Sequence, residues 1–130
     1  VSMETGLVRF IGRVEGVEGD VSTIVIWPGF CRGLIGLDMY TRILVVYWFH
    51  ERDDDRHRGT LQVVPRRHGE TELRGVFASR SPSRPNPLGI TEVELLSLEG
   101  CTLTVRGLDA NIGSPVVDIK PESMDRYNAG

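Results

Sequence analysis

Lysine is almost missing from this chain: Lys120 stands alone beside fourteen arginines. Arginine suits phosphate forks and base stacking, yet genomic composition or heat adaptation yields the same bias, so the skew assigns no function by itself. Cysteine is also scarce. Cys31 and Cys101 lie far apart, with no CxxC pair and no histidine at ligand spacing. That predicts neither a zinc site nor a disulfide, and reads both as small core residues. No apolar run exceeds Ile43 to Phe49, which is too short to span a bilayer. The chain does not start with a basic stretch followed by an apolar one, so a soluble, cytoplasmic protein without a membrane partner is expected. Gly29, Gly33 and Gly36 follow a strand-like run, but not at GxGxxG spacing, and GxSxG, HExxH and GxxxxGK[ST] do not occur. Dinucleotide, hydrolase, zincin and P-loop readings are therefore without support.

What is present suits one small domain. A chain of 130 residues, 40% hydrophobic and 25% charged, has the size and balance of a single globular unit, residues 1–130. Its net charge of −3 argues against a general nucleic-acid coat, and no DNA partner is expected. The distribution is uneven, however. His50 to Arg84 holds eight arginines against six acidic residues, whereas Pro85 to Gly130 holds three basic and seven acidic. Such a gradient is expected if one face meets RNA, although self-paired surface charge, as in Glu51 to Arg58, accounts for it equally well.

Short apolar or alternating runs separated by Gly, Pro and charged turns predict an all-β domain. The candidate strands are Leu7 to Arg13, Val21 to Ile26, Ile43 to Phe49, Thr60 to Val64, Val76 to Ser79, Ile90 to Leu98, Thr102 to Val105 and Pro115 to Ile119. One helical turn, Leu34 to Tyr40, is too short for a βαβ crossover, so a Rossmann-type sheet is disfavoured. With few helices to cover an open sheet, closure into a small antiparallel β-barrel removes the exposed edges.

The segment Gly75 to Thr91, GVFASRSPSRPNPLGIT, is the most informative stretch. Pro82, Pro85 and Pro87 fix their own φ and push Ser81, Arg84 and Asn86 toward extended conformations, so the loop is stiff before anything binds. Arg80, Arg84 and Asn86 then stand on a preorganised support. This order of residues, together with Gly33 to Leu37, VVYWFHE (Val45 to Glu51), Leu108-Asp109 and SPVVDIKPE (Ser114 to Glu122), resembles the TrmO/TsaA/YaeB family of tRNA methyltransferases over most of the chain.

The resemblance implies an S-adenosylmethionine enzyme built on a β-barrel that works as a homodimer. It also implies a tRNA partner, methylated at N6 of threonylcarbamoyl-adenosine beside the anticodon. Family positions for cofactor contact match His50, Glu51, Arg80, Ile90, Gly107, Leu108 and Asp109; Arg84, Asn86, Asp118 and Lys120 are candidates for substrate contact. No catalytic residue and no metal ligand is assigned. In the Pro-rich loop, Arg80 is expected against the cofactor and Arg84 reaching outward to RNA. Plainer roles stand beside these: His50 and Glu51 lie where an apolar strand runs into a charged loop, Asp109 sits in a turn-like segment, and Asp118 with Lys120 forms an ion pair on one strand face. The chain departs from the family in lacking a PRQP-like stretch before Val21, in carrying Glu122 where the DIKPY motif has tyrosine, and in ending soon after that motif. A methyltransferase with another acceptor and a non-catalytic cofactor-binding module remain the alternatives.

Overall fold

Alternation of side chains in and out of a closed sheet builds the fold. The computed structural model describes residues 3–65 and 71–122. Six strands, β1 (Gly12–Glu18), β2 (Val21–Ile26), β3 (Arg42–Trp48), β6 (Leu88–Glu99), β7 (Thr102–Arg106) and β8 (Pro115–Pro121), close into an antiparallel barrel in the order β1-β2-β7-β6-β3-β8. The remaining pair, β4 (Gln62–Val63) and β5 (Arg74–Gly75), forms a separate two-stranded sheet. The chain divides into two compact units: residues up to Tyr47 with those from Ile90 onward, and Trp48–Gly89.

The barrel interior is filled at period two by β-branched and leucine side chains. Ile24 and Ile26 of β2, Ile43 and Val45 of β3, and Leu103 and Val105 of β7 are all at most 1% exposed, and Val14, Val93 and Val116 complete the core. Inward and outward positions alternate as a half-buried pleated strand demands. Closure runs through β1 and β8, where Gly12 faces Val116 and Arg13 faces Pro115. Gly12 has no substitute there, since a Cβ would collide with the Val25 carbonyl oxygen of the neighbouring β2. Register shifts in the β1/β2, β3/β8 and β6/β7 pairs add the local bend a closed sheet needs. Two hairpins turn tightly: Gly19 (φ 62°) follows Glu18, and Gly100 (φ 61°) follows Glu99, as two-residue hairpin loops require.

The all-β barrel expectation is met, with differences in detail. Residues 3–11 hold no strand, and Leu7 and Val8 are exposed; the first strand is the Gly- and Glu-containing GRVEGVE. An apolar cluster alone does not make a strand unless a neighbour completes its ladder. Val76–Ala78 is a 3₁₀ turn, because pairing with β4 stops at Gly75. The stretch around Leu34 to Tyr40 is two 3₁₀ pieces, Pro28–Leu34 and Leu37–Met39, broken by Gly36 at φ 89°. The α-helical turn is α1, Asp55–Arg58.

One expectation is overturned. Cys31 and Cys101 are joined by a disulfide, with Cα atoms 5.4 Å apart and 70 residues of separation. Neither is a core residue, both being half-buried. Register explains the meeting. Val25 near the end of β2 pairs with Thr102 at the start of β7, so Cys31, just beyond β2, and Cys101, just before β7, arrive at the same barrel edge. The Ile26 N–H donates to the Cys101 carbonyl at 2.8 Å beside the bond. A cross-link closing a loop of this length is expected to contribute about 4 kcal/mol in the chain-entropy account. Urea unfolding with and without reductant checks it: the reduced protein and Cys101→Ser should lose comparable stability, and an unchanged midpoint would show the bond to be energetically idle.

Candidate functional site

A buried phenol organises one end of the barrel. Tyr47 is 4% exposed at the end of β3, and a tyrosine hydroxyl placed inside must find partners there. Its single proton goes to the Asp109 carbonyl oxygen at 2.8 Å, so the 3.0 Å bond to Thr91 Oγ1 is one it accepts. Thr91 of β6 and the loop from Gly107 to Gly113 are thereby drawn to the same place. The loop is fixed at two further points, where Gly107 (φ 95°) donates its N–H to the Asp20 carbonyl at 2.9 Å and Gly113 (φ 89°) to the Val14 carbonyl at 2.8 Å. On this anchored frame the Asp109 side chain is exposed, Leu108 is half-buried, and Ile90 of β6 is 48% exposed. Of the residues read from the sequence, Ile90, Gly107, Leu108 and Asp109 are brought together. Asp118 and Lys120 on β8 form the expected surface ion pair, at 3.4 Å, and Asp118 Oδ1 also accepts from the Ile119 N–H at 2.9 Å. Such a pair is worth little to stability and opens readily.

The Trp48–Gly89 unit is organised by Arg58. Its Nε donates to the Pro85 carbonyl at 3.0 Å, Nη1 to Asp53 at 2.9 Å and Nη2 to Asn86 Oδ1 at 3.4 Å, while its guanidinium lies 5.6 Å from the Trp48 ring centre. One side chain thus ties the charged turn to the Pro-rich loop by hydrogen bonds and a cation–π contact. Asp54 caps α1 by accepting the His57 N–H at 2.8 Å. That backbone bond, and then the one to the His57 ring, hold the Asp54 carboxyl below its ordinary value. The cap's contribution is therefore complete above the unfolded aspartate range and lost as pH falls through the lowered folded value.

The loop is stiffened from inside as well. Ser79 Oγ accepts from the Ser81 N–H and Ser81 Oγ from the Ser83 N–H, each at 3.2 Å, serving backbone donors between the prolines. Arg52 Nη1 donates to Ser83 Oγ at 3.0 Å. Arg84 Nη1 donates to the Ser79 and Ser81 carbonyls, both at 3.1 Å. The expected outward reach of Arg84 is revised accordingly: the side chain clamps its own loop. Arg80 is exposed and, among the described residues, makes no hydrogen bond or ion pair, and the same holds for exposed His50. Glu51 shares the 3₁₀ turn His50–Arg52, and Asn86 presents an exposed amide.

Tyr47, Arg52 and Arg58 were not singled out in the sequence. Tyr47 lay within an apolar run, where a hydroxyl at an inward-facing position was the available signal; Arg58 lay in a segment whose charges looked merely solvated.

The model of the tRNA-methyltransferase O N-terminal domain matches residues 13–126. The chain belongs to this family. It is 49% identical over 119 residues to a probable S-adenosyl-L-methionine-binding protein of Methanothermobacter thermautotrophicus, covering 92% of this chain and 80% of that one. It is 50% identical over 105 residues to an S-adenosyl-L-methionine-binding protein of Archaeoglobus fulgidus, covering 81% and 71%. A crystal structure of TrmO from P. aeruginosa superimposes with a TM-score of 0.70 at 26% identity over 99% of this chain, which spans 60% of that TrmO.

In this TrmO-family barrel, Tyr47→Phe is expected to leave the Asp109 carbonyl without its buried donor, at a cost of about 1–2 kcal/mol. Amide exchange reads the effect: residues 107–113 should exchange faster than in the wild type while core amides of β2 and β7 keep their order. Unchanged exchange in the loop would mean that Tyr47 does not hold it.

Proposed function

We propose that the chain is an S-adenosylmethionine-dependent methyltransferase that modifies tRNA at N6 of threonylcarbamoyl-adenosine beside the anticodon. The family match over residues 13–126 carries this reading, and relatives about half identical that are named for S-adenosylmethionine binding support the cofactor. The side chains present suit that cofactor's chemistry. On the barrel, the exposed Asp109 carboxylate is an acceptor for vicinal hydroxyls, and the exposed face of Ile90 is an apolar surface for a purine. On the Trp48–Gly89 unit, the exposed Arg80 guanidinium, without a partner among the described residues, suits a carboxylate, and His50 and Glu51 of the 3₁₀ turn His50–Arg52 add polar groups on the same unit.

When bound, S-adenosylmethionine supplies a methyl group already activated by its sulfonium. The work left to the chain is positional: to hold reactants aligned and to exclude water. The Tyr47 anchor keeps the Gly107–Gly113 backbone from rearranging, and the Arg58 and Arg84 hydrogen bonds do the same for the Pro-rich loop. Loops that are rigid before binding lose little entropy when they bind. Asn86, Asp118 and Lys120 are assigned to the substrate, and Arg84 supports the loop that meets it. A two-fold dimer belongs to the same reading.

A second reading, a cofactor-binding module without transfer activity, is favoured by relatives named for binding alone. Two measurements separate them. Calorimetry should show binding of S-adenosylmethionine and of its demethylated product; Asp109→Ala and Arg80→Ala should each lose roughly 1–3 kcal/mol, as for a hydrogen bond to a charged group. Nucleoside mass spectrometry of tRNA incubated with enzyme and cofactor should then show the N6-methylated product. Binding without any methylated nucleoside would establish the module, and no heat of binding at millimolar cofactor would remove both readings.

A further inference from the structure

Phe77 is 80% exposed, although its own backbone is closed and anchored. It sits in the middle of the 3₁₀ turn Val76–Ala78, between a Val76 side chain that is 1% exposed and a Ser79 N–H that donates back to the Val76 carbonyl at 3.1 Å. The Val76 N–H donates to the Leu61 carbonyl at 2.9 Å, which docks the turn onto the end of the β4/β5 ribbon. The ring is therefore projected into water by a fixed support, and Leu61, Val64 and Leu73 of the same ribbon are also exposed, at 60%, 48% and 60%.

The charge near this aromatic in sequence is mostly positive. From Thr71 to Arg84 the chain carries three arginines and one acidic residue, Glu72. Arg80, three residues beyond Phe77, is exposed and without a hydrogen bond or ion pair among the described residues. An exposed aromatic face on a segment with more arginine than acidic residues is complementary to a polyanion whose bases are unstacked. Double-stranded nucleic acid hides its base faces, whereas single-stranded RNA offers them.

We propose that Phe77 is a stacking platform for an unpaired base of the RNA substrate, on a segment whose excess of arginine over acidic residues favours the neighbouring phosphates. The inference rests on the tRNA reading above and deepens it by naming a residue that seats the nucleic acid. A Phe77→Ala protein should bind a tRNA anticodon stem-loop roughly 5- to 100-fold more weakly, with S-adenosylmethionine affinity unchanged, and Phe77→Tyr should restore binding, since stacking needs only an aromatic face. Phe77→Trp supplies a readout independent of turnover. The added indole emission, taken against the wild-type background of Trp27 and Trp48, should be quenched when the stem-loop is added. Wild-type protein that methylates tRNA, with Phe77→Ala equal to it and no quenching in Phe77→Trp, would overturn this proposal and leave the tRNA reading intact. Wild-type protein that binds no RNA at all would overturn both. If Phe77→Ala instead converts a dimer to a monomer while RNA affinity holds, the ring contacts a second copy of the chain and the proposal fails.

Discussion

A single buried hydroxyl sets the arrangement at the end of the barrel where the cofactor residues are proposed. Tyr47 is buried, so its phenol must find hydrogen-bond partners inside the protein. The Asp109 carbonyl and Thr91 meet that requirement, and in doing so they fix where the Gly107–Gly113 loop passes over the strands. The loop's positive-φ glycines at both ends let it turn sharply enough to reach the anchor. Packing thus dictates the loop's course, and the loop's course dictates where the Asp109 carboxylate points into water.

The Trp48–Gly89 unit reaches rigidity by a different route. It has little regular structure, a two-stranded ribbon and a one-turn helix, and its order comes from side chains bonding to backbone. Arg58, Arg52 and Arg84 together engage Pro85, Asn86, Ser83, Ser79 and Ser81, so three guanidinium groups do for this unit what strand ladders do for the barrel. Arginine is suited to that work because its fork serves several acceptors at once. The arginine bias in the sequence therefore has a structural share here, beside any compositional cause.

How much of this was legible depends on distance along the chain. Local period-two patterning located β2, β3 and β7 almost to the residue, because each has alternating or continuous apolar character between clear turns. It failed for β1, whose Gly12 and Gly16 weaken the pattern, Gly12 being required by its close approach to Val25 and Ile26 of β2. Features made by register were not legible. The Cys31–Cys101 bond exists because β2 and β7 are neighbours, and nothing in the sequence between the two cysteines announces that pairing. Likewise, Arg58 reads in sequence as a solvent-facing charge, and Arg84, expected to reach RNA, instead bonds to the Ser79 and Ser81 carbonyls of its own loop. The motif residues themselves were found by resemblance, and the structure adds why several are held still: Asp109 by Tyr47, and Asn86 by Arg58.

The anchored Gly107–Gly113 loop, with Ile90 beside Thr91, is proposed to receive the cofactor rather than some other surface. Amide chemical-shift mapping with the demethylated cofactor product tests it most directly. The largest changes are expected at Ile90, Gly107, Leu108 and Asp109 on the barrel, with β1 and β2 little affected. Saturable shifts confined to other residues, or no shifts at concentrations well above the calorimetric range, would contradict it.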